Sequence, residues 1–394
     1  QIGEGSISGT SHQVTGLSAD TEYSFRVCAI NANPTPDVSA GVTVSGTTLQ
    51  AAPPDPTSPA AVADSTTAIT VSWTSGGGST ADYRISYLTG TTAPVDCATG
   101  TQIGEGSITG TSHQVTGLSV ETEYSFRVCA INDNPTPDVS SGVTVSGTTL
   151  EAAPPNPTSP SAQIDSDTEI TVSWTSGGGS TDDYRISYQS GATAPVDCAT
   201  WTQIGEGSIT GASHQVTGLS AETDYSFRVC AINANPTPDV SAGVTVSGTT
   251  LEAAPPYPTG PPAVAESTTA ITVSWTSGGG STDDYRISYQ SGATAPADCA
   301  SGTQIGEGSI SGTSHQVHGL TADTEYSFRV CAINANPTPD VSAGVTASET
   351  TLQVAPPDPT SPAAQIDSDT AITISWTSGG GSTDDSRISY QSGA

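Results

Sequence analysis

Cysteines have the most regular spacing of any reactive side chain in this sequence. Cys97 and Cys129 lie 32 residues apart, and the same separation recurs at Cys198–Cys230 and Cys299–Cys331. An even count in each repeat, with one cysteine in a loop and one in a strand, is typical of disulfides formed in an oxidising compartment. Zinc fits poorly, because no Cys-x-x-Cys spacing occurs and the repeated histidine lies in another strand. We therefore predict three disulfides, each contributing about 3 kcal/mol; Cys28 has its equivalent partner outside the sequence.

The tetrapeptide Ser-His-Gln-Val recurs with the same period and carries the histidines His12, His113, His214 and His315. A serine hydrolase needs a third group that orients the histidine, and none accompanies this motif. Ser112 and His113 are strand neighbours, so their side chains point to opposite faces. His113 shares its parity with Val115, which predicts a position at the edge of the core. No enzymatic activity is predicted.

Two acidic loops offer the hard oxygen ligands that calcium prefers: Asp-Ser-Asp-Thr-Glu at 165–169 and Thr-Asp-Asp-Tyr at 181–184. Their spacing matches no calcium loop and varies between repeats, which favours solvated turns. Calcium between domains is kept as an alternative, and no other cofactor is predicted. The Ser-Gly-Gly-Gly-Ser loop at 75–79 lacks the Gly-Lys-Ser ending and the helix of a phosphate-binding loop, so we predict a hairpin connector.

Arginines are the only strong bases, two in each repeat. Arg84 and Arg127 are expected to project from the outer faces of neighbouring strands. They could bind an anion, but in a chain so rich in acids we expect them to pair with Asp82, Glu105 or Glu123 on the same sheet.

Trp201 stands where the other repeats have Gly100 and Gly302. An extra aromatic residue in a surface loop can stack on a sugar or pack against a neighbouring molecule. We predict a contact at Trp201, and one copy in four repeats favours a register contact between chains over a ligand site.

The charge balance excludes several classes of partner. The sequence has no lysine or methionine, and 8 arginines against 39 acidic residues give a net charge of −31. So negative a chain is not expected to bind nucleic acid or an anionic membrane surface. No apolar run is long enough to span a bilayer, so no membrane insertion is predicted for this segment.

The segment Glu123–Asn132 predicts the central strand of the fold. Tyr124, Phe126, Val128 and Ala130 share one parity, which predicts a strand with one buried face and one face directed outward. A turn delivers Leu118 just before Tyr124, in the order typical of a tyrosine corner. The residues that mark the core recur every 101 positions: Trp73, Trp174, Trp275 and Trp376, with Tyr124, Tyr225 and Tyr326.

This period of 101 residues is the size of a whole domain. It predicts complete units at 51–151, 152–252 and 253–353, the second half of a unit at 1–50 and the first half at 354–394. Within 51–151, a proline-rich linker at 51–59 precedes seven short strands with turn signals between them. This pattern predicts an all-β chain of tandem seven-stranded antiparallel sandwiches, arranged like beads on a string.

The linked set Val71-Ser-Trp, Tyr83-Arg-Ile-Ser-Tyr, Gly117-Leu and Tyr124-Ser-Phe-Arg-Val-Cys-Ala-Ile-Asn resembles a fibronectin type III domain, and the resemblance covers the whole chain. It implies seven-stranded sandwiches with the Trp and Tyr residues in the core. Members of the family usually lack disulfides, and the integrin-binding Arg-Gly-Asp is absent here. Near-identical tandem copies poor in lysine resemble the stalks of large bacterial surface and secreted proteins.

The resemblance and the charge together suggest an extracellular or cell-surface fibre or adhesin stalk. Gln1 is equivalent to Gln304 and Ala394 to Ala293, so a loop equivalent to residues 294–303 would close four whole periods. Either the segment belongs to a longer array, which we favour, or half-domains of different copies complete each other in a filament. The alternatives are a carbohydrate- or surface-binding module, and an accessory region of a secreted polysaccharide-degrading enzyme.

Overall fold

The computed structural model describes residues 7–205, 208–306 and 310–393, with the backbone alone for residues 105 and 106. Every regular element among them is a β-strand, and every strand pair is antiparallel. The strand pair that opens the described chain is β1 (Glu22–Val27) and β2 (Val42–Thr47). The first complete repeat follows with β3 (Thr57–Ser65), β4 (Ala68–Thr74), β5 (Asp82–Thr89), β6 (Thr101–Ile108), β7 (Ser112–Thr116), β8 (Glu123–Ile131) and β9 (Val143–Thr148).

The other two complete repeats have the same order of strands. The second contains β10 (Thr158–Ile164), β11 (Glu169–Thr175), β12 (Asp183–Ser190), β13 (Thr202–Ile204), β14 (Ser213–Thr217), β15 (Asp224–Ile232) and β16 (Val244–Thr249). The third contains β17 (Ala263–Ala265), β18 (Ala270–Ser274), β19 (Asp284–Ser291), β20 (Thr303–Ile305), β21 (Ser314–His318), β22 (Glu325–Ile333) and β23 (Val345–Thr350). The last pair is β24 (Thr360–Ile366) and β25 (Ile372–Thr377).

Each complete repeat is a sandwich of two sheets. In the first repeat a three-stranded sheet has the order β3-β4-β7, and a four-stranded sheet has the order β6-β5-β8-β9. The second and third repeats have the same two sheets, with the orders β10-β11-β14 and β13-β12-β15-β16, then β17-β18-β21 and β20-β19-β22-β23. The predicted fold class, a tandem of seven-stranded sandwiches, is therefore confirmed.

The core lies between the two sheets and is built from the parity that the sequence predicts. Tyr124, Phe126, Val128 and Ala130 all belong to it. Trp73 packs against Tyr83 with ring centroids 5.0 Å apart, a favourable aromatic geometry. The equivalent Trp174, Tyr225, Trp275 and Tyr326 are also buried in their own repeats.

Trp376 does not share this burial. Its side chain is 37% exposed, whereas the sequence predicts a core position. Among the described residues, β24 and β25 form a two-stranded sheet by themselves, so Trp376 has no opposing sheet to cover it.

The tyrosine corner is present in each complete sandwich. The amide of Ser119 donates a hydrogen bond of 2.8 Å to the Tyr124 hydroxyl oxygen, and Leu118 beside it is buried. The equivalent bonds are Ser220 to Tyr225, 2.9 Å, and Thr321 to Tyr326, 3.1 Å. The bond fixes the turn that leads into the central strand.

Two local predictions are wrong. The outer face of β8 is covered, because Ser125, Cys129 and Ile131 are buried as deeply as the core side of the strand. The glycine loop at 75–79 is not a hairpin connector, because β4 and β5 belong to different sheets. Its glycine has a packing reason: a Cβ on Gly76 would collide with the carbonyl oxygen of Asp55 in the linker.

Candidate functional site on the disulfide-linked loop

The loop between β5 and β6, residues 90–100, lies across the outer face of β8. It is attached there by a disulfide between Cys97 in the loop and Cys129 in the strand. Cys198–Cys230 and Cys299–Cys331 attach the equivalent loops, and all six cysteines are buried. These are the pairs that the sequence predicts, and Cys28 is a free thiol. The loop explains why a strand face expected to meet solvent is covered.

Hydrogen bonds from strand side chains fix the path of the loop. The Ser125 hydroxyl donates to the Gly90 carbonyl oxygen at 2.7 Å, and the Ser86 hydroxyl donates to the Asp96 carbonyl oxygen at 3.1 Å. Both serines are buried, so each hydroxyl is satisfied by a loop carbonyl where water cannot reach it.

Arg127 connects this loop to the segment that enters β9. Its Nε donates to the Pro94 carbonyl oxygen at 2.7 Å, and its Nη1 donates to the Ser141 carbonyl oxygen at 2.8 Å. Arg228 and Arg329 make the same two contacts in their repeats. The sequence predicts a carboxylate partner instead; the structure shows main-chain carbonyls, to which charged guanidinium donors bond strongly.

The three carboxylates that the sequence predicts as arginine partners have different environments in the structure. Asp82 is buried and accepts a hydrogen bond of 2.8 Å from the Ile108 amide. Glu123 is half-buried at the start of β8, and the side chain of Glu105 lies outside the described residues. Arg127 therefore links two loops through its Nε and Nη1 donors. Fewer of its N–H groups are left to bind an anionic ligand.

An open cleft of about 440 Å³ lies beside the disulfide of the second repeat. The cleft contains charges of both signs. The pKa of Asp197 is lowered chiefly by a hydrogen bond from the Ala199 amide, then by the Thr200 side chain, with a smaller contribution from the charge of Arg228. An anion entering the cleft would meet the Asp197 carboxylate as well as the two arginines, Arg185 and Arg228. The residues that line the cleft are Arg185, Val196, Asp197, Cys198, Ala199, Arg228, Val240, Ser241 and Ala242.

Trp201 distinguishes the second loop from the other two, which have glycine at the equivalent position. Its side chain is 64% exposed and its φ is +67°, a left-handed conformation rare for a bulky residue. Gly100 and Gly302 have φ values of +77° and +75° at the equivalent position, where a Cβ would approach the carbonyl oxygens of Tyr87 and Tyr289 to 2.6 and 2.8 Å. Strained backbone of this kind clusters at active sites, ligand clamps and switch regions.

The second loop adapts around this tryptophan. The Ser187 hydroxyl donates to the Thr200 carbonyl oxygen at 2.6 Å, whereas Ser288 in the third repeat donates to the Asp298 carbonyl oxygen at 3.0 Å. In the second loop this serine therefore binds a carbonyl oxygen three residues further along the chain, next to Trp201.

The acidic loops contact donors of their own repeat. Asp165 accepts a hydrogen bond of 2.6 Å from the Thr171 hydroxyl, and Asp183 accepts one of 2.8 Å from the Ile209 amide. Within the described ranges, no group of three or more His, Cys, Asp or Glu side chains could hold a metal ion. His113 is half-buried and lies opposite Val71, at the edge of the core.

The sequence analysis did not predict one group of buried polar residues. Asn132 and Asn134 are buried, and their side chains bind the segment that precedes the domain. The available signal was the return of the same two asparagines every 101 residues.

Comparisons with known proteins agree on the type of domain. The family model described as "Fibronectin type III domain" matches residues 54–144, 154–246 and 256–348. Neogenin of Homo sapiens is 31% identical over 292 residues, which are 68% of this chain and 19% of neogenin. Exoglucanase B of Cellulomonas fimi is 32% identical over 255 residues, 60% of this chain and 20% of that protein.

Among solved structures, a two-domain fibronectin type III segment from chicken tenascin is 20% identical. It covers 50% of this chain and 99% of that segment, with a TM-score of 0.25. The chain spans only 17–20% of the length of the curated relatives it matches. In the part of the chain that the structure describes, no helix is long and apolar enough to cross a bilayer.

Proposed function

Because this chain belongs to the fibronectin type III family, we propose that it is a structural, non-catalytic array that acts as a spacer in an extracellular or cell-surface protein. The observation that carries the proposal is the disulfide in every complete sandwich, which attaches the long loop to the central strand. Such bonds persist in oxidising compartments and restrict the unfolded chain. An array of this kind resists extension and proteolysis, and its net charge of −31 keeps neighbouring copies apart.

Mechanical unfolding of the full chain tests whether the disulfides restrict its extension. With the disulfides intact, the 32-residue segment between Cys97 and Cys129 cannot extend. Reduction should therefore lengthen each unfolding step by roughly 110 Å, at about 3.5 Å per residue. Equal step lengths before and after reduction would show that the bridges are not the restraint.

A deletion in the parent protein tests the spacer function itself. Removing residues 152–252 takes out one whole period and leaves the neighbouring repeats in register. If the array is a spacer, its end-to-end length should fall by the length of one sandwich. The activities carried by other parts of the protein should stay unchanged. Loss of binding to a surface with reach unchanged would favour a binding module instead.

Carbohydrate binding is the second candidate, and Trp201 is the observation that favours it. An exposed indole stacks on sugar rings, and exoglucanase B, named for a polysaccharide-degrading activity, is one of the similar proteins. Binding of the full chain to cellulose and chitin should fall with Trp201→Ala. Tyr257→Ala, which removes another exposed aromatic side chain, is the matched control. Binding that survives Trp201→Ala would remove this candidate.

Association between copies is a further proposal, in which half-sandwiches complete each other. Val27 on β1 is 64% exposed, whereas the equivalent Val128 on β8 is fully buried beneath an opposing sheet. Ile374 and Trp376 on β25 are likewise uncovered. If copies cover these faces for one another, sedimentation should show species well above 39.4 kDa that dissociate when Val27 is replaced by Asp. A single species at that mass would contradict association.

A further inference from the structure

The loop that follows β8 contains a hydrogen-bonded cluster of two asparagines and an aspartate. Asp138 accepts hydrogen bonds of 2.9 Å from Nδ2 of both Asn132 and Asn134, and its own amide donates to Asn132 Oδ1 at 2.8 Å. The later repeats contain the same cluster at Asn233, Asn235 and Asp239, and at Asn334, Asn336 and Asp340. We call each set an Asn-Asp clamp.

Each clamp holds the chain that arrives from the preceding domain. The Gln50 amide donates to Asn134 Oδ1 at 2.9 Å, and Asn134 Nδ2 donates to the Gln50 carbonyl oxygen at 3.0 Å. The asparagine side chain thus pairs with one residue's N–H and C=O, as a neighbouring strand would. Glu151 and Asn235 make the same pair of bonds at 2.9 and 3.0 Å, and Glu252 and Asn336 at 3.0 and 2.9 Å.

The side chain of the held residue is also bound. Gln50 Oε1 accepts from the Asp133 amide at 3.1 Å, Glu151 Oε2 from the Ala234 amide at 3.1 Å, and Glu252 Oε2 from the Ala335 amide at 3.3 Å. An amide and a carboxylate both satisfy this contact, because it needs only an acceptor oxygen at the end of a two-methylene side chain. The site therefore fits Gln or Glu in an extended segment.

Leu150, the residue just before Glu151, is hydrogen-bonded to the first sandwich. The Leu150 amide donates to the Ser65 carbonyl oxygen at 3.1 Å, and the Leu150 carbonyl oxygen accepts from Glu121 at 3.2 Å. The next residue, Glu151, is bonded to the domain ahead. A side-chain contact of 2.8 Å from Ser180 to Glu121 crosses the same junction. Consecutive sandwiches thus meet without an unbonded residue between them.

A fourth set, Asn31, Asn33 and Asp37, makes the same internal hydrogen bonds, at 2.8, 3.1 and 2.9 Å. Each cluster is thus built by hydrogen bonds within its own loop.

We propose that the Asn-Asp clamp is a docking surface for an extended Gln- or Glu-containing segment of the chain in front of it, and that its occupancy locks each domain junction. The inference goes beyond the spacer function, because a junction locked in this way would serve a binding array equally well.

Hydrogen exchange of backbone amides in the full chain tests the proposal at one atom. In Asn235→Ala the Glu151 amide loses its acceptor and should exchange about tenfold faster, as expected for one net hydrogen bond. Asn235→Asp, which keeps the shape but directs a carboxylate at Asp239 and at the Glu151 carbonyl oxygen, should accelerate it as well. The Glu252 amide, held by Asn336, should be unchanged.

Two controls separate the clamp from general loosening. Asn33→Ala disturbs the same kind of cluster in a different part of the chain, so it should leave the Glu151 amide unchanged. The Leu150 amide should stay protected in Asn235→Ala, because its acceptor lies in the domain behind. Unchanged exchange at Glu151 in both Asn235 variants, or equal acceleration at Leu150, would overturn the proposal. Each outcome stands whether or not the array acts as a spacer.

Discussion

Asn156 Oδ1 accepts a hydrogen bond of 2.7 Å from the amide of Gly243, and so attaches the linker of the second sandwich to the entrance of its last strand. Asp55 makes the equivalent bond to Gly142 in the first sandwich. The third sandwich has Tyr257 at this position, and the only acceptor of a tyrosine side chain lies at the far end of its ring. The first strand of that sandwich, β17, is also the shortest of the three, Ala263–Ala265.

We therefore expect Tyr257→Asn to stabilise the third sandwich by about 1 kcal/mol, the net value of one hydrogen bond. Calorimetry of the full chain should show one transition moving to higher temperature. Tyr257→Ala removes the ring without supplying an acceptor and is the control. Equal stabilisation by both variants would show that loss of the tyrosine ring, and not the hydrogen bond, is responsible.

Removing one disulfide should destabilise a single sandwich. Cys198→Ser combined with Cys230→Ser should lower the free energy of unfolding of the second sandwich by about 3 kcal/mol, because its unfolded chain is no longer restricted. Urea unfolding followed by amide exchange would assign the loss to that repeat. Cys28→Ser, at the free thiol, should leave all three sandwiches unchanged. A second sandwich of unaltered stability would contradict the role given to the bridge.

Loss of the tyrosine-corner hydroxyl should have a moderate effect. Tyr124→Phe leaves the Ser119 amide without its acceptor and should destabilise the first sandwich by about 1 kcal/mol. Tyr390→Phe, at a side chain that is 96% exposed, is the control. Denaturant midpoints of the two variants give the comparison, and equal midpoints would show that the corner adds nothing to stability.

The backbone strain at Trp201 predicts an unusual gain. Trp201→Gly should stabilise the second sandwich by about 1 kcal/mol, since glycine adopts a positive φ without the penalty of a side chain. The reciprocal change, Gly302→Trp, should destabilise the third sandwich. Chemical unfolding of both variants checks the pair; a destabilised Trp201→Gly would mean that the indole is held by packing.

The carboxyl of Asp64 predicts a pH dependence. A hydrogen bond from the Thr70 hydroxyl, and then one from the Gln114 amide, lower the pKa of Asp64 below its ordinary value of 3.8. The folded state holds this proton less firmly than the unfolded chain, so the stabilisation is complete above the unfolded pKa. It is lost as the pH falls through the folded pKa.

Carbon-detected titration of the Asp64 carboxyl checks this expectation. Thr70→Val removes the larger contribution and should raise the midpoint toward the ordinary value, whereas Thr70→Ser keeps the hydroxyl and should preserve the low pKa. A midpoint that Thr70→Val leaves unchanged would assign the shift to another cause.

The amino-acid sequence by itself determined the period, the class of fold and the core of each sandwich. Alternation along Glu123–Asn132 is a local property, and the 101-residue spacing of Trp73 and Tyr124 with their equivalents places the same two residues in every core. The cysteine pairs followed from the same spacing. Each of these features depends on residue types whose burial or reactivity is distinctive.

Only the tertiary structure decided where the polar contacts lie. Arg127 binds carbonyl oxygens, which every residue possesses, so no residue type could identify its partners. Asn134 meets Gln50 across 84 residues of chain, a pairing set by how two sheets and a linker pack together. The outer face of β8 is buried for the same reason. The path of the loop that covers it depends on contacts between residues distant in sequence, and the alternation of residues along a single strand does not predict such contacts.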